Sequence, residues 1–140
     1  MFKVLAVDHI GIAVNDLDEV GKFWTEQIGI PCTGKEVVAE QKVETSFNPT
    51  PNGSEIELLA ATDPTSPIAK FIEKNGGRGG IQHIALRVDN IENAIADLMA
   101  KGVKMIDEKP RYGAGGARIA FLHPKSTHGV LLEICEHEDR

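Results

Sequence analysis

Two stretches decide the fold: Asp8-His-Ile-Gly-Ile-Ala-Val-Asn-Asp-Leu17 and Gln82-His-Ile-Ala-Leu-Arg-Val-Asp-Asn-Ile91. Aligning His9 with His83 pairs Ile10 with Ile84, Ile12 with Leu86, Val14 with Val88 and Leu17 with Ile91. Gly29-Ile30 and Gly102-Val103 close the segments that follow at nearly the same distance. Further on, Ser54-Glu-Ile-Glu-Leu-Leu-Ala60 resembles Gly129-Val-Leu-Leu-Glu-Ile-Cys135, and at an offset of 76 residues Glu57 falls against Glu133. Several landmarks kept in one register mark an internal repeat.

Working outward, residues 4–14 and 80–88 alternate and are rich in β-branched side chains, the pattern of strands. Helices follow over 16–28 and 90–101, with apolar Leu17, Val20, Phe23, Trp24 and Ile28 in the first and Ile91, Ala94, Ile95 and Leu98 in the second. Asn15 or Asp16 and Asp89 or Asn90 are candidate N-caps, and Gly29 and Gly102 are candidate stops. Three more strands are expected in each half, over 34–40, 41–48 and 54–61, then 103–110, 117–123 and 128–136. Pro49–Gly53, Gly113–Gly116 and His123–Gly129 read as turns. A helix over 66–75 and a loose Gly76–Gly80 connection join the halves. The expected organisation is α+β, βαβββ twice: one domain, 1–140, of two modules (about 4–62 and 80–137) with a helical linker over about 63–79.

The 140 residues suit a single domain, and a chain of that size buries roughly 68–70% of the surface its unfolded form exposes. Hydrophobic residues make up 41% and charged residues 26%, an ordinary globular balance. A formal charge of −6 argues against a general nucleic-acid or membrane-surface role, though not against a local basic pocket. No apolar run approaches the ~20 residues of a membrane span. Met-Phe-Lys, Val4–Val7 and then Asp8 lack the pattern of a signal peptide. Cys32 and Cys135 form no C-x-x-C pair, so a reduced, cytoplasmic compartment is the expectation.

Strand side chains alternate faces. Ile10, Ile12 and Val14, like Ile84, Leu86 and Val88, suit packing against the helix that follows, which leaves His9 and His83 on the other face beside Gly11 and Ala85. By the same parity Glu57 opposes Ile56, Leu58 and Ala60, and Glu133 opposes Val130, Leu132 and Ile134. Singly, such histidines read as structural and such glutamates as solvated. Together, at repeat-related positions, they also suit a metal site of imidazole and carboxylate ligands, which accommodates Zn, Co, Ni, Mn or Fe(II).

At these residues the chain resembles the vicinal oxygen chelate (glyoxalase) superfamily, and within it the methylmalonyl-CoA epimerase family. The stretches that carry the resemblance are Asp8–Val14, Gln41-Lys-Val-Glu-Thr45, Ser54–Leu59, Ser66-Pro-Ile-Ala-Lys-Phe71 and Ile81-Gln-His-Ile-Ala-Leu86. The most specific is Gly113-Ala-Gly-Gly-Ala-Arg-Ile-Ala-Phe-Leu-His-Pro-Lys-Ser-Thr127, continuing into Val130-Leu-Leu-Glu133. The resemblance implies a cup-shaped mixed sheet with helices outside, around a divalent metal held by His9, Glu57, His83 and Glu133. Cobalt is the metal it favours, with zinc, manganese or nickel as alternatives. It implies Glu44 and Glu133 as catalytic acid and base, a homodimer, and a place in propionyl-CoA metabolism.

The implied reaction inverts C2 of methylmalonyl-CoA, whose proton lies between a thioester and a carboxylate. A chelated metal stabilises the enolate, and two carboxylates on opposite faces exchange the proton. For the polyanionic CoA moiety, Arg111, Arg118, Lys125, Ser126 and Thr127 are the candidate contacts, with Arg78 in addition. Gly113–Gly116 lacks the G-K-[ST] ending of a P-loop and reads as a strand connection. Rival readings are glyoxalase I (lactoylglutathione lyase), an Fe(II) extradiol dioxygenase, and a non-enzymatic small-molecule-binding member of the superfamily.

Overall fold

The structure, a computed structural model, describes residues 1–138; Asp139 and Arg140, the end of the expected domain, lie outside the described residues. The chain forms two compact units, His9–Gln82 and Met1–Asp8 with the residues from His83 onward. The division falls inside β1 (Val4–Ala13), so the opening residues of that strand belong with the second half of the chain.

In the unit His9–Gln82, β1 leads into α1 (Leu17–Lys22), and β2 (Gly34–Val38), β3 (Val43–Pro49), β4 (Glu55–Ala61) and α2 (Pro67–Lys74) follow. The strand order is β2-β3-β4-β1, with β1 and β4 parallel and the other pairs antiparallel. Asp16 caps α1 by accepting the Glu19 N–H, and Ser66 caps α2 ahead of Pro67. Ile12, Val14, Ile56, Leu58 and Ala60 pack against Leu17, Val20 and Trp24 of the α1 segment. The reverse face, with Ala13, Val43, Leu59 and Ala61, meets Ile68, Phe71 and Ile72 of α2. Both faces of this sheet are therefore partly covered, one by each helix.

Three local details depart from expectation. The helix expected over 16–28 is α-helical only to Lys22, and Phe23–Ile28 continue as a π-helix. There the Thr25 hydroxyl donates to the Gly21 carbonyl, competing with the α-helical ladder. Between β2 and β3, a 3-10 turn at Ala39–Gln41 ends on Lys42 with φ 54°, so β3 starts later than expected. Nor is Gly76–Gly80 loose. Asn75 Nδ2 donates to the Arg78 and Gly79 carbonyls, and Asn15 Nδ2 to that of Gly77. Gly79 lies so close to the Ala13 carbonyl that a Cβ there would stand 2.2 Å from its oxygen.

The second unit contains β5 (Gly80–Val88) from His83 onward, α3 (Ile91–Ala100), β6 (Arg111–Tyr112), β7 (Arg118–Leu122) and β8 (Leu132–Glu136). Its order is β5-β8-β7-β6, with β5 and β8 parallel. Asn90 caps α3, whose Ile91, Ala94 and Ile95 pack on Val88, Ala120, Leu122 and Ile134. Of the strand expected over 103–110 only a Met105–Leu122 bridge forms, and the short β6 lies just beyond it. The Asp107 carboxylate takes the Phe121 N–H, so a side chain occupies the place of a ladder carbonyl. The last strand begins at Leu132 because positive φ at His128 and Gly129 turns the chain just before it. Among the described residues no helix is long and apolar enough to cross a membrane.

Candidate active site

In the first unit the parallel register of β1 and β4 sets Gly11 beside Glu57. His9, two residues before Gly11, shares its face. His9 Nδ1 lies 3.4 Å from Glu57 Oε2, and each residue is 6% exposed. The second unit repeats the plan with its own residues. Ala85 stands beside Glu133 in the β5–β8 register, and His83 precedes Ala85 by two positions. His83 Nε2 lies 3.2 Å from Glu133 Oε1, with exposures of 6% and 4%.

A buried carboxylate beside an imidazole is a costly arrangement that a cation relieves. Each pair offers one imidazole nitrogen and one carboxylate oxygen, a donor set suited to a divalent transition ion. The residues present fit the metal that the sequence resemblance implies.

Register separates the other expected site residues. Phe47 is the β3 residue across from Glu57, and Thr45 is across from Leu59. Glu44 pairs with Ala60 and Val37, so it lies half-buried on the opposite face, the one that packs on α1. Its charge acts there on Lys35, whose ammonium bonds Asp18 of α1 at 2.6 Å. The geometry thus brings Glu57, not Glu44, beside His9.

Among the candidate contacts for CoA, Arg111 shares the Glu133 face: it pairs with Ile119, and Phe121 pairs with Glu133. The Arg111 guanidinium lies over the Phe121 ring at 5.7 Å while its Nε bonds Asp107. The opposite side of the chain of contacts is His83, which meets the Phe121 ring edge-on with centroids 5.5 Å apart. Arg118 departs from expectation. It belongs to the α3 face, where its guanidinium bridges Glu92 and Glu136. That pairing holds the Glu92 carboxyl below its usual range and raises Arg118.

The turn between β7 and β8 spends most of its polar groups on itself. Ser126 Oγ accepts the Lys104 N–H at 2.8 Å, and the Thr127 hydroxyl donates to the Pro124 and Val130 carbonyls. The Lys125 N–H bonds His123 Nδ1, and its side chain is exposed, as is Arg78. Of this group, only the Lys125 ammonium remains as a candidate contact for a distant anion.

Sequence reading passed over a buried network in the second unit. Asp8 accepts hydrogen bonds from Arg87 Nε and interacts with His137 Nε2, both at 2.8 Å. Cys135 lies within reach of these groups, and burial, then the charges of Asp8 and Glu133, push its thiol pKa far up. In this cluster the Arg87 guanidinium neutralises the Asp8 carboxylate, which His137 also meets, so Asp8 clamps together strands and a terminal segment distant in sequence. Its only sequence signal was the separate presence of Asp8, Arg87 and His137, residues brought together by strand pairing.

A family model, the Glyoxalase/Bleomycin resistance protein/Dioxygenase superfamily, matches residues 8–121. The mitochondrial methylmalonyl-CoA epimerase of Dictyostelium discoideum is 39% identical over 130 residues, 93% of this chain and 77% of that relative. Among solved structures, the methylmalonyl-CoA epimerase of Mycobacterium tuberculosis superposes with a TM-score of 0.90 at 36% identity, covering 95% of this chain and 88% of its own. A variant of the Streptomyces coelicolor methylmalonyl-CoA epimerase, in complex with 2-nitronate-propionyl-CoA, gives 0.89 at 38% identity over 97% of this chain and 99% of its own.

Proposed function

Because the chain belongs to the Glyoxalase/Bleomycin resistance protein/Dioxygenase superfamily, we propose that it is a methylmalonyl-CoA epimerase, inverting C2 between the (R) and (S) forms. The observation that carries this reading is the buried His–Glu pair built on the same plan in each unit. The epimerase relatives support the choice of substrate.

His9, Glu57, His83 and Glu133 are the residues assigned to a divalent ion, cobalt by family resemblance, with zinc, manganese or nickel as alternatives. When bound, the ion supplies Lewis acidity that stabilises charge on the thioester oxygen as the C2 proton leaves. In this reading the Glu133 carboxylate takes or returns that proton on one face. Glu57 does so on the other, in place of Glu44, which faces α1. A carboxylate with an imidazole at 3.2–3.4 Å is held in one orientation, which keeps the proton acceptor positioned. Arg111, on the Glu133 face, and the exposed Lys125 supply positive charge for the CoA moiety. Family resemblance extends the proposal to a cytoplasmic homodimer.

The test is nuclear magnetic resonance of (R)-methylmalonyl-CoA in heavy water with metal-loaded and chelator-stripped protein. Exchange of the C2 proton and conversion to the (S) form are expected with the loaded protein only. No exchange with either preparation rejects the epimerase reading.

A further inference from the structure

Strand β3 carries its polar side chains on two faces, and the two sets are treated differently. On the α1 face, Ser46 Oγ donates to Asn48 Oδ1 at 3.1 Å and contacts Cys32 Sγ, while Asn48 Nδ2 donates to the Ile30 carbonyl. On the other face, where Phe47 stands across from Glu57, the polar side chain is Thr45. Thr45 is 1% exposed, and its hydroxyl has no hydrogen-bond partner among the described residues. The other buried side-chain atom in that condition is Nε2 of Gln41, in the turn that leads into β3. Native proteins keep few such groups, and each calls for an explanation, a water or a bound group among them.

Thr45 shares the face of His9 and Glu57: it stands across from Leu59, two positions along β4 from Glu57, and next but one to Phe47, the residue across from Glu57. An alcohol does not act as a base near neutral pH, but it donates a strong hydrogen bond to a carboxylate or a developing oxyanion. Building on the epimerase reading, we infer that Thr45 is the residue through which β3 meets the substrate, its hydroxyl donating to a carboxylate or thioester oxygen of the 2-carboxyacyl group.

Thr45→Val keeps the branched shape and removes the hydroxyl, whereas Thr45→Ser keeps the hydroxyl. Titration calorimetry with methylmalonyl-CoA, the split between kcat and KM, and the unfolding midpoint without substrate are compared in wild type and both variants. Thr45→Val is expected to weaken binding by about tenfold or more, the usual loss for a hydrogen bond to a charged group, at an unchanged or raised midpoint. Thr45→Ser stays within about threefold of wild type, since it retains that bond. Undiminished substrate binding by Thr45→Val in an active background overturns the role of Thr45 alone. A lowered midpoint with unchanged affinity also overturns it, since the hydroxyl would then be serving the fold. A wild-type protein that neither binds nor exchanges methylmalonyl-CoA removes the epimerase reading and this inference together.

Discussion

Glu44 and Glu57 lie on opposite faces of the ribbon formed by β3 and β4: Phe47 stands across from Glu57, and Ala60 across from Glu44. A strand displays alternate residues to alternate sides, so the odd separation of Phe47 and Glu44 suffices to turn Glu44 away. The carboxylate that accompanies His9 is consequently Glu57, at 3.4 Å.

Glu57→Gln retains an oxygen ligand but cannot accept a proton. It is expected to keep metal content while lowering epimerisation, and C2 proton exchange on the Glu57 face, by about 10²-fold or more, the usual contribution of a general base. Glu44→Gln should leave exchange nearly intact. Deuterium incorporation and metal analysis on both variants check the pair, and the reverse ranking would return the role to Glu44.

Metal binding should stabilise the fold through all four assigned residues. At a free concentration of about 100 times Kd, a bound ion contributes roughly 2.7 kcal/mol. Calorimetric unfolding with and without added cobalt should show the increase in wild type and its loss in His9→Ala and in His83→Ala. An increase of the same size in either variant counts against that ligand.

The Glu92–Arg118 pair ties α3 to β7. Arg118 holds the Glu92 carboxyl below its usual range, so the folded protein binds that proton less readily than the unfolded chain. The pair's contribution is therefore complete above the ordinary carboxylate value and is lost as pH falls through the lowered one. Denaturation of Glu92→Gln against wild type should show a small deficit at neutral pH that closes under acid conditions. A deficit that widens on acidification contradicts this assignment.

Thiol titration of the native protein should modify Cys32, which is exposed, and spare Cys135, which is fully buried and whose thiol is held protonated. Both should react after denaturation. Rapid modification of Cys135 in the native state would mean that β8 opens locally.

Arg111→Gln removes a cation from the Glu133 face without touching either His–Glu pair. A raised KM for the CoA thioester at little-changed kcat is expected from steady-state kinetics. Arg118→Gln, on the other face, should leave KM alone and reduce stability instead.

Much of this was legible in the residues themselves. The pattern that begins at His9 and recurs at His83 announces two halves, and the spacing of Leu17, Val20 and Trp24 announces a helix packed on one strand face. Caps at Asp16, Ser66 and Asn90 lie where local chemistry places them, because a cap depends only on nearby backbone. The segment 103–110 misled for the opposite reason. Its apolar residues suit a strand, but the Asp107 carboxylate takes the Phe121 N–H from β7, a partner remote in sequence.

Periodicity and composition alone determine the repeat, the α+β elements and the parity of His9, Glu57, His83 and Glu133, since each follows from residues close together in the chain. Tertiary structure decided the rest. It set Gly11 beside Glu57 and Ala85 beside Glu133, spent Arg118 on Glu92 and Glu136, gathered Arg87 and His137 around Asp8, and left the Thr45 hydroxyl unpaired among the described residues. Those outcomes depend on cross-strand register, a property of hydrogen-bond ladders between distant segments. Local sequence sets which side chains share a strand face, but only the ladder sets which of them meet.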